Sequence, residues 1–396
     1  MRKQKLYEVQ KKYTQAIDSH NLIIELTINE KGVNYLDALI NRAIINLKRD
    51  SIKKAGDLIK KIKSFDLSQL AFQELIKAKT VEANYLSKTG HPQQALALLN
   101  PALEQVVVRA KSSADLESGF WHVEDEYLDA FELAVSIYKN NGNPQQAVQK
   151  LDQLKTINDA SLYQNPLVKS SILNESELTQ YKQLTDQLDA TRKKLLTAPE
   201  NQKFEIRQSI SQLKLKKRKL DKKLSQNIDT NPISIRQIQN KISARDMVLH
   251  ITELKDQYYI AHISRSNVRI NTIALDSTRR QLLSGAVQQV ATNKTNLDSL
   301  YQITQMLDLH SIPDRIEQLT VIPDSYFYQL PVDILPMTKV NQSYSYGQAT
   351  YLIEKFRTQY LTSLEDFQND ADARAPSLKQ LKLCRLRSFR LQRLQQ

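Results

Sequence analysis

Glycine is scarce in this chain, at 7 of 396 residues, where average usage of ~7% would give about 28. The two closest, Gly119 and Gly142, lie 23 positions apart. No G-x-G-x-x-G or Walker A loop can form at that spacing, which excludes both glycine-based phosphate cradles. Cysteine is scarcer still: Cys384 stands alone. That excludes an internal disulfide and any cysteine-cluster zinc site. The six histidines are scattered, and the nearest pair, His250 and His262, is 12 apart, so no H-E-x-x-H helix exists. Long apolar runs are missing too, none approaching the ~18 residues of a membrane span. The opening Met1-Arg-Lys-Gln-Lys has no apolar stretch behind it and does not read as a secretory signal. The expected compartment is the cytoplasm, and neither a cofactor nor a metal is expected.

What is present is the composition of a folded chain, with 41% hydrophobic and 25% charged residues. The net charge of +13 suggests nucleic acid until it is located. Lys214 to Lys223 carries seven basic residues and the one acid Asp221, and Arg374 to Gln396 carries seven basic residues and no acid. Together they account for the whole +13, so the other 363 residues are neutral overall. A nucleic-acid surface spreads basic charge over one face and interleaves aromatics for stacking. Here the first segment has no aromatic and the second only Phe389, so nucleic acid is disfavoured as a partner. The acidic group Glu117, Glu124, Asp125, Glu126, Asp129 and Glu132 reads as a solvated helix face rather than acid–base machinery.

Residues 1–160 read as helical hairpins. Gly90-His-Pro-Gln-Gln-Ala95 and Gly142-Asn-Pro-Gln-Gln-Ala147 repeat one another. Each places a turn glycine before a proline in the first helical turn. Small and apolar residues recur at fixed offsets around these turns: Ala83, Leu86, Ala95, Leu99 and Ala102, then Val135, Tyr138, Ala147, Leu151 and Leu154. A third set, Ala43, Asn46, Ala55, Ile59 and Ile62, has Asp50 where the others have glycine. The pattern resembles the tetratricopeptide repeat, whose period is ~34 residues. The equivalent alanines are 40 and 52 apart, the usual closing proline is missing, and Asn46 occupies an apolar position. The alternative is a generic helical bundle.

Residues 161–229 form a second helical pattern. Asn174-x-x-Glu177 and Thr197-x-x-Glu200 look like capping boxes. Leu178, Tyr181, Leu188 and Leu195 face Ile206, Ile210, Leu213, Leu220 and Leu224 in an antiparallel coiled-coil hairpin, whose seam Lys217 interrupts.

Beyond Pro232 the period changes to two. Met247–Thr252, Gln257–Ile263 and Asn267–Leu275 read as strands. A helical stretch runs from Ser277 to Leu309, followed by a buried strand Leu319–Ile322, with Tyr351–Ile353 and Arg357–Tyr360 fitting another. Three pieces in order carry a resemblance: Ile233 to Ile251, then Val321-Ile-Pro-Asp-Ser-Tyr-Phe-Tyr-Gln-Leu-Pro331-Val-Asp-Ile-Leu335, then Tyr351 to Ser363. They resemble the start of a CHAT domain, the caspase-like domain that accompanies tetratricopeptide repeats. That family has glycine after Pro-Asp, where this chain has Ser325.

The resemblance implies a multi-domain chain. It runs from all-α helical-hairpin repeats (1–160) through a coiled-coil hairpin (161–229) to the N-terminal half of an α/β caspase-like domain (230–365). The sheet of such a domain is expected to be largely parallel. The tail 366–396 alternates leucine with basic residues without separating their faces; it reads as disordered or out of frame, and a membrane partner is disfavoured. The family's catalytic histidine lies in a His-Gly segment and its cysteine in a Ser-Ala-Cys segment. This sequence has neither; its last histidine is His310, ahead of the Pro-Asp strand, and Cys384 sits in Leu-Lys-Leu-Cys-Arg-Leu. No catalytic residue is carried over, and the chain reads as truncated before the catalytic pair. The expected function is a non-catalytic scaffold that binds a protein or peptide on its repeat surface. Self-association through an open sheet edge is also expected. The alternative is a cysteine-peptidase subunit whose catalytic half is missing or supplied elsewhere.

Overall fold

The computed structural model describes residues 13–28, 32–67, 70–112, 125–160, 173–199, parts of 202–220, 234–292, 295–339 and 346–369. The chain is mostly helical, with a small mixed sheet of five strands towards its end. It divides into two compact units. Among the described residues, the first runs to Val108 and from Asp125 to Lys150, and the second takes in Arg109–Ser112 and everything from Leu151 onward.

The first unit is built from α1 (Tyr13–Thr27), α2 (Val33–Lys48), α3 (Ile52–Lys63), α4 (Phe72–Lys88), α5 (Pro92–Ser112) up to Val108, and α6 (Asp125–Asn140), and it holds the start of α7 (Pro144–Ala160). The turns α2–α3, α4–α5 and α6–α7 are copies of one another. Asp50, Gly90 and Gly142 all adopt positive φ, at 53°, 83° and 69°. The next residue in each case, Ser51, His91 or Asn143, donates its backbone N–H to Asn46, Leu86 or Tyr138, at 2.8, 2.8 and 2.9 Å. This is the six-to-one hydrogen bond of a Schellman helix end, in which a left-handed residue satisfies the orphan carbonyls. The sequence offset that aligned Asp50 with two glycines therefore marks one backbone conformation used three times. Of the fifteen small and apolar positions noted at these turns, all but Leu86 are buried, the alanines Ala43, Ala55, Ala83, Ala95 and Ala147 completely. Asn46 is buried at 4% and donates to the Arg42 carbonyl at 2.9 Å, which lets an amide stand in an apolar row. Alanine at these crossings lets the two helices approach closely. Larger side chains such as Tyr35, Leu39 and Ile59 fill the layer around them.

A Cβ at Gly90 or Gly142 would touch nothing within 4 Å, so only the backbone penalty acts there. Gly90→Ala and Gly142→Ala are expected to lose about 1–2 kcal/mol each, the usual penalty for a left-handed L-residue. Asp50→Gly should gain up to ~1 kcal/mol for the same reason, since the exposed Lys88–Asp50 ion pair it forfeits adds little. Urea unfolding of the full-length protein reads all three, and a loss on Asp50→Gly would contradict the shared turn.

A helical hairpin follows in the second unit. Its first limb, α8 (Glu175–Thr197), starts at a reciprocal capping box: the Asn174 side chain accepts from the Glu177 N–H at 2.9 Å, and the Glu177 carboxylate accepts from the Asn174 N–H at 3.0 Å. Thr197 is the last residue of α8, and Glu200, the other half of the second expected box, lies outside the described residues. Leu173, Tyr181 and Leu184 pack with Leu213 and Leu220 of the returning limb. Lys217, the apparent break in the seam, is buried at 2%, and its ammonium sits 4.4 Å from the centroid of the Tyr181 ring. The position is filled by a cation over an aromatic face.

The short helix α9 (Ile235–Lys241) leads into β1 (Asp246–Leu254), β2 (Gln257–Ser264) and β3 (Val268–Ala274). Then come α10 (Ser277–Ala291), α11 (Leu297–Met306), β4 (Gln318–Ile322), the helical turn α12 (Leu352–Lys355) and β5 (Arg357–Tyr360). The sheet order is β3-β2-β1-β4-β5. β1–β2 and β2–β3 are antiparallel, β1–β4 and β4–β5 parallel. This corrects the expectation of a largely parallel sheet. Residues 255–256 and 265–267 are too short to make a crossover, so the first three strands fold as hairpins. The expected helix 277–309 is two helices, separated where Asn296 caps α11 by accepting from the N–H groups of Asp298 and Ser299 at 2.9 and 3.2 Å. Tyr351–Ile353 is not a strand. Tyr351 makes one bridge to Pro336, and the chain then turns helically before β5.

β1 is buried along almost its whole length, as a central strand covered on both faces must be. One face, with Leu249, Ile251, Leu319 and Val321, packs on α10, α11 and the Phe327–Leu335 segment. The other carries Val248, His250, Thr252 and Thr320, all buried.

Candidate functional site

The polar residues of that second face gather where β4 ends, since His250 pairs in register with Ile322. His250 is fully buried, and both ring nitrogens are engaged. Nε2 lies 3.2 Å from Asp152 Oδ1 of α7, and Nδ1 lies 3.2 Å from the Thr252 hydroxyl. The same Asp152 oxygen accepts from the Leu364 N–H at 3.0 Å. Asp152 thus joins a helix, a central strand and the segment after β5.

One turn further along α7, Lys155 is fully buried. Its ammonium hydrogen-bonds the Tyr328 hydroxyl and stands 4.6 Å from the centroid of that ring. Beside it lies Asp324, directly after β4. One carboxylate oxygen accepts from the Ser325 N–H and the other from the Glu253 N–H, each at 2.8 Å, so Asp324 ties the end of β1 to the turn after β4. Burial pushes the Asp324 carboxyl above the usual range, against the opposing pull of Lys155, the two backbone N–H groups and His250. Ser325 adopts φ 53°. The tight turn demands a left-handed residue, the conformation glycine accepts most readily. Tyr258 comes from the other face of the sheet, in the core with Ile251 and Phe327: it is fully buried, its hydroxyl lies beside Ser325 without a hydrogen bond of normal geometry, and burial raises its pKa strongly.

None of these residues is identified as functional by sequence reasoning. A usable signal exists in α7, where Asp152 and Lys155 fall in the same arc as Val148 and Leu151, polar residues on an apolar stripe. The residues that sequence reasoning did weigh are not brought together. His310 occupies a short 3-10 turn, its ring 5.6 Å from that of Tyr301. Cys384 and the rest of the tail from 370 lie outside the described residues, as do Glu117 and Glu124. Asp125, Glu126, Asp129 and Glu132 lie on α6, where Glu126 accepts from the Gln73 side chain at 2.8 Å. Among the described residues no group of three or more histidine, cysteine, aspartate or glutamate side chains could hold a metal. None of the described helices is long and apolar enough to cross a membrane.

Another buried histidine, on the α10/α11 side of the sheet, favours the neutral form. His262, on β2, approaches the Leu307 carbonyl through Nε2 at 3.3 Å and Arg269 through Nδ1 at 3.4 Å. Burial lowers its pKa first and the Arg269 charge second, with Asp308 and the Leu307 carbonyl opposing. The unfolded chain therefore takes up the proton first as pH falls below about 6.5. Stability from this residue is present above that value and lost on acidification. The urea midpoint of the parent should drop further between pH 7.5 and pH 5.5 than that of His262→Gln; parallel drops would show that His262 is not involved.

No protein-family model matches the chain, and no curated protein matches it.

Proposed function

We propose that the chain is a non-catalytic interaction protein, in which tetratricopeptide-type hairpins present a surface to a protein or peptide ligand. A coiled-coil hairpin and a segment resembling the start of a caspase-like CHAT domain follow. The observation that carries this reading is the turn shared by Asp50, Gly90 and Gly142, each with positive φ and the same six-to-one hydrogen bond. Repeats of one supersecondary unit stack into extended binding surfaces. The caspase-like part draws support from Ser325, whose left-handed backbone occupies the place where that family has glycine. It draws further support from the helix–strand opening at Ile235–Leu254 and from parallel strands at β1, β4 and β5. Thiol catalysis needs a cysteine with a histidine within hydrogen-bond reach. The sequence supplies neither His-Gly nor Ser-Ala-Cys, and His250 has both nitrogens occupied in the interior.

The test is a peptide library incubated with the purified full-length protein and with Cys384→Ala. We expect both proteins to retain the same subset of peptides with their masses unchanged. Cleavage by the parent that vanishes in Cys384→Ala would overturn the non-catalytic reading. Retention of no peptide would overturn the interaction reading.

A further inference from the structure

The turn between α6 and α7 exposes three asparagines, Asn140, Asn141 and Asn143, which differ in the residue that follows each. Asn140 precedes Asn141, Asn141 precedes Gly142, and Asn143 precedes Pro144. That order decides their chemistry. An asparagine side chain is attacked by the backbone nitrogen of the next residue, which must offer an N–H and leave room for the approach. Proline has no N–H, and a side chain on the next residue crowds the approach. Glycine has no Cβ and moves freely between backbone conformations. Asn141-Gly142 is the only Asn-Gly pair in the chain. Both residues are exposed, and nothing lies within 4 Å of the place a Cβ of residue 142 would take. We propose that Asn141 is a self-modification site, an age-dependent switch in the third repeat turn. The Gly142 nitrogen bonds to Cγ of Asn141, the Cγ–Nδ2 bond breaks, and ammonia leaves with the Gly142 proton. Water, the only co-reactant, then opens the succinimide, at one carbonyl to aspartate and at the other to isoaspartate.

The hydrogen bonds of this turn are both the brake on the reaction and what it changes. Gly142 donates to the Lys139 carbonyl at 3.1 Å, and Asn143 donates to the Tyr138 carbonyl at 2.9 Å. The nitrogen attacks only when the first of these opens, and an exposed helix end opens readily. The imide has no N–H to return to Lys139. In isoaspartate the main chain runs through Cγ and is one carbon longer, so neither bond regains its register. Either acid also places a carboxylate at the negative end of the α6 dipole. The equivalent turns carry Thr89-Gly90 and Arg49-Asp50, which have no side-chain amide at that position and are inert to this chemistry.

The experiment ages the full-length parent and Asn141→Gln in parallel at mildly alkaline pH, beside a synthetic peptide of residues 137–146 that serves as the clock. Peptide mapping by mass spectrometry follows the conversion of amide to acid, and enzymatic methylation of isoaspartate identifies the linkage. The parent should convert at Asn141 within about a hundredfold of the peptide's half-life, the delay being set by opening of the turn. Asn140 and Asn143 should stay intact over that time, as should the glutamine of Asn141→Gln, whose side chain closes its ring far more slowly. The aged parent should then exchange the amides of 142–147 at least about tenfold faster than fresh protein, and aged Asn141→Gln should not. Conversion of Asn140 as fast as Asn141 would overturn the proposal, because exposure rather than the following glycine would then govern the reaction. So would a parent that stays intact beyond that time, or unchanged exchange in 142–147 after conversion.

Discussion

Phe327→Ala is expected to remove about 3–5 kcal/mol from the stability of the α/β unit, the range for deleting a fully buried aromatic. Phe327 is completely buried one residue beyond the Asp324–Tyr326 turn, and its ring meets that of Tyr258 edge-on, with centroids 5.6 Å apart. Around it lie Leu330, Val332 and Leu335, also fully buried, in the core that also holds α10 and α11. Neighbours held by β-ladder hydrogen bonds cannot collapse into the hole, so the cavity penalty adds to the lost transfer free energy. The companion change Tyr258→Phe keeps the ring pair and removes a buried hydroxyl without a well-formed hydrogen bond. It should be neutral or mildly stabilising. Chemical denaturation of both variants gives the comparison. A loss below about 1 kcal/mol for Phe327→Ala would place this residue outside a close-packed core.

Much of the architecture is legible in the sequence because it is written in local periods. The alternation in Gln257–Ile263 and Asn267–Leu275 marks β2 and β3 to within a residue or two. The offset of small residues around Gly90 and Gly142 locates the third turn at Asp50, where aspartate tolerates the left-handed backbone. What local pattern does not show is pairing at a distance. Asp152 and His250 are 98 residues apart, and Asp152 and Leu364 are 212 apart. Each looks ordinary in its own segment. Tyr351–Ile353 misleads for a related reason. Its β-prone side chains read as a strand, but the Leu352 N–H is taken by the Leu335 carbonyl, and that contact turns the chain before β5 begins. Lys217 breaks its seam on paper because cations are scored as polar. The Tyr181 ring that receives it belongs to the other limb of the hairpin.

Asp324→Ala should lose about 2–3 kcal/mol at neutral pH, since two backbone N–H groups lose a carboxylate acceptor together. The donors are those of Glu253 at the end of β1 and Ser325 at the turn after β4. Without them the left-handed Ser325 loses the contact that holds it in an uncommon conformation. The loss should depend on pH with a definite sign. The folded-state pKa of Asp324 is raised by burial, so between the unfolded value of about 3.9 and the folded value the native state holds more protons. Stability contributed by this carboxyl is therefore greatest at low pH and declines as pH rises through the folded pKa. The difference between parent and Asp324→Ala should shrink on going from acid towards neutral pH, opposite in direction to the His262 effect. Lys155 is coupled to the same carboxylate, so Lys155→Met should be less damaging in the Asp324→Ala background than in the parent. Additive losses in that double-mutant cycle would show that Lys155 acts through the Tyr328 hydroxyl and ring alone.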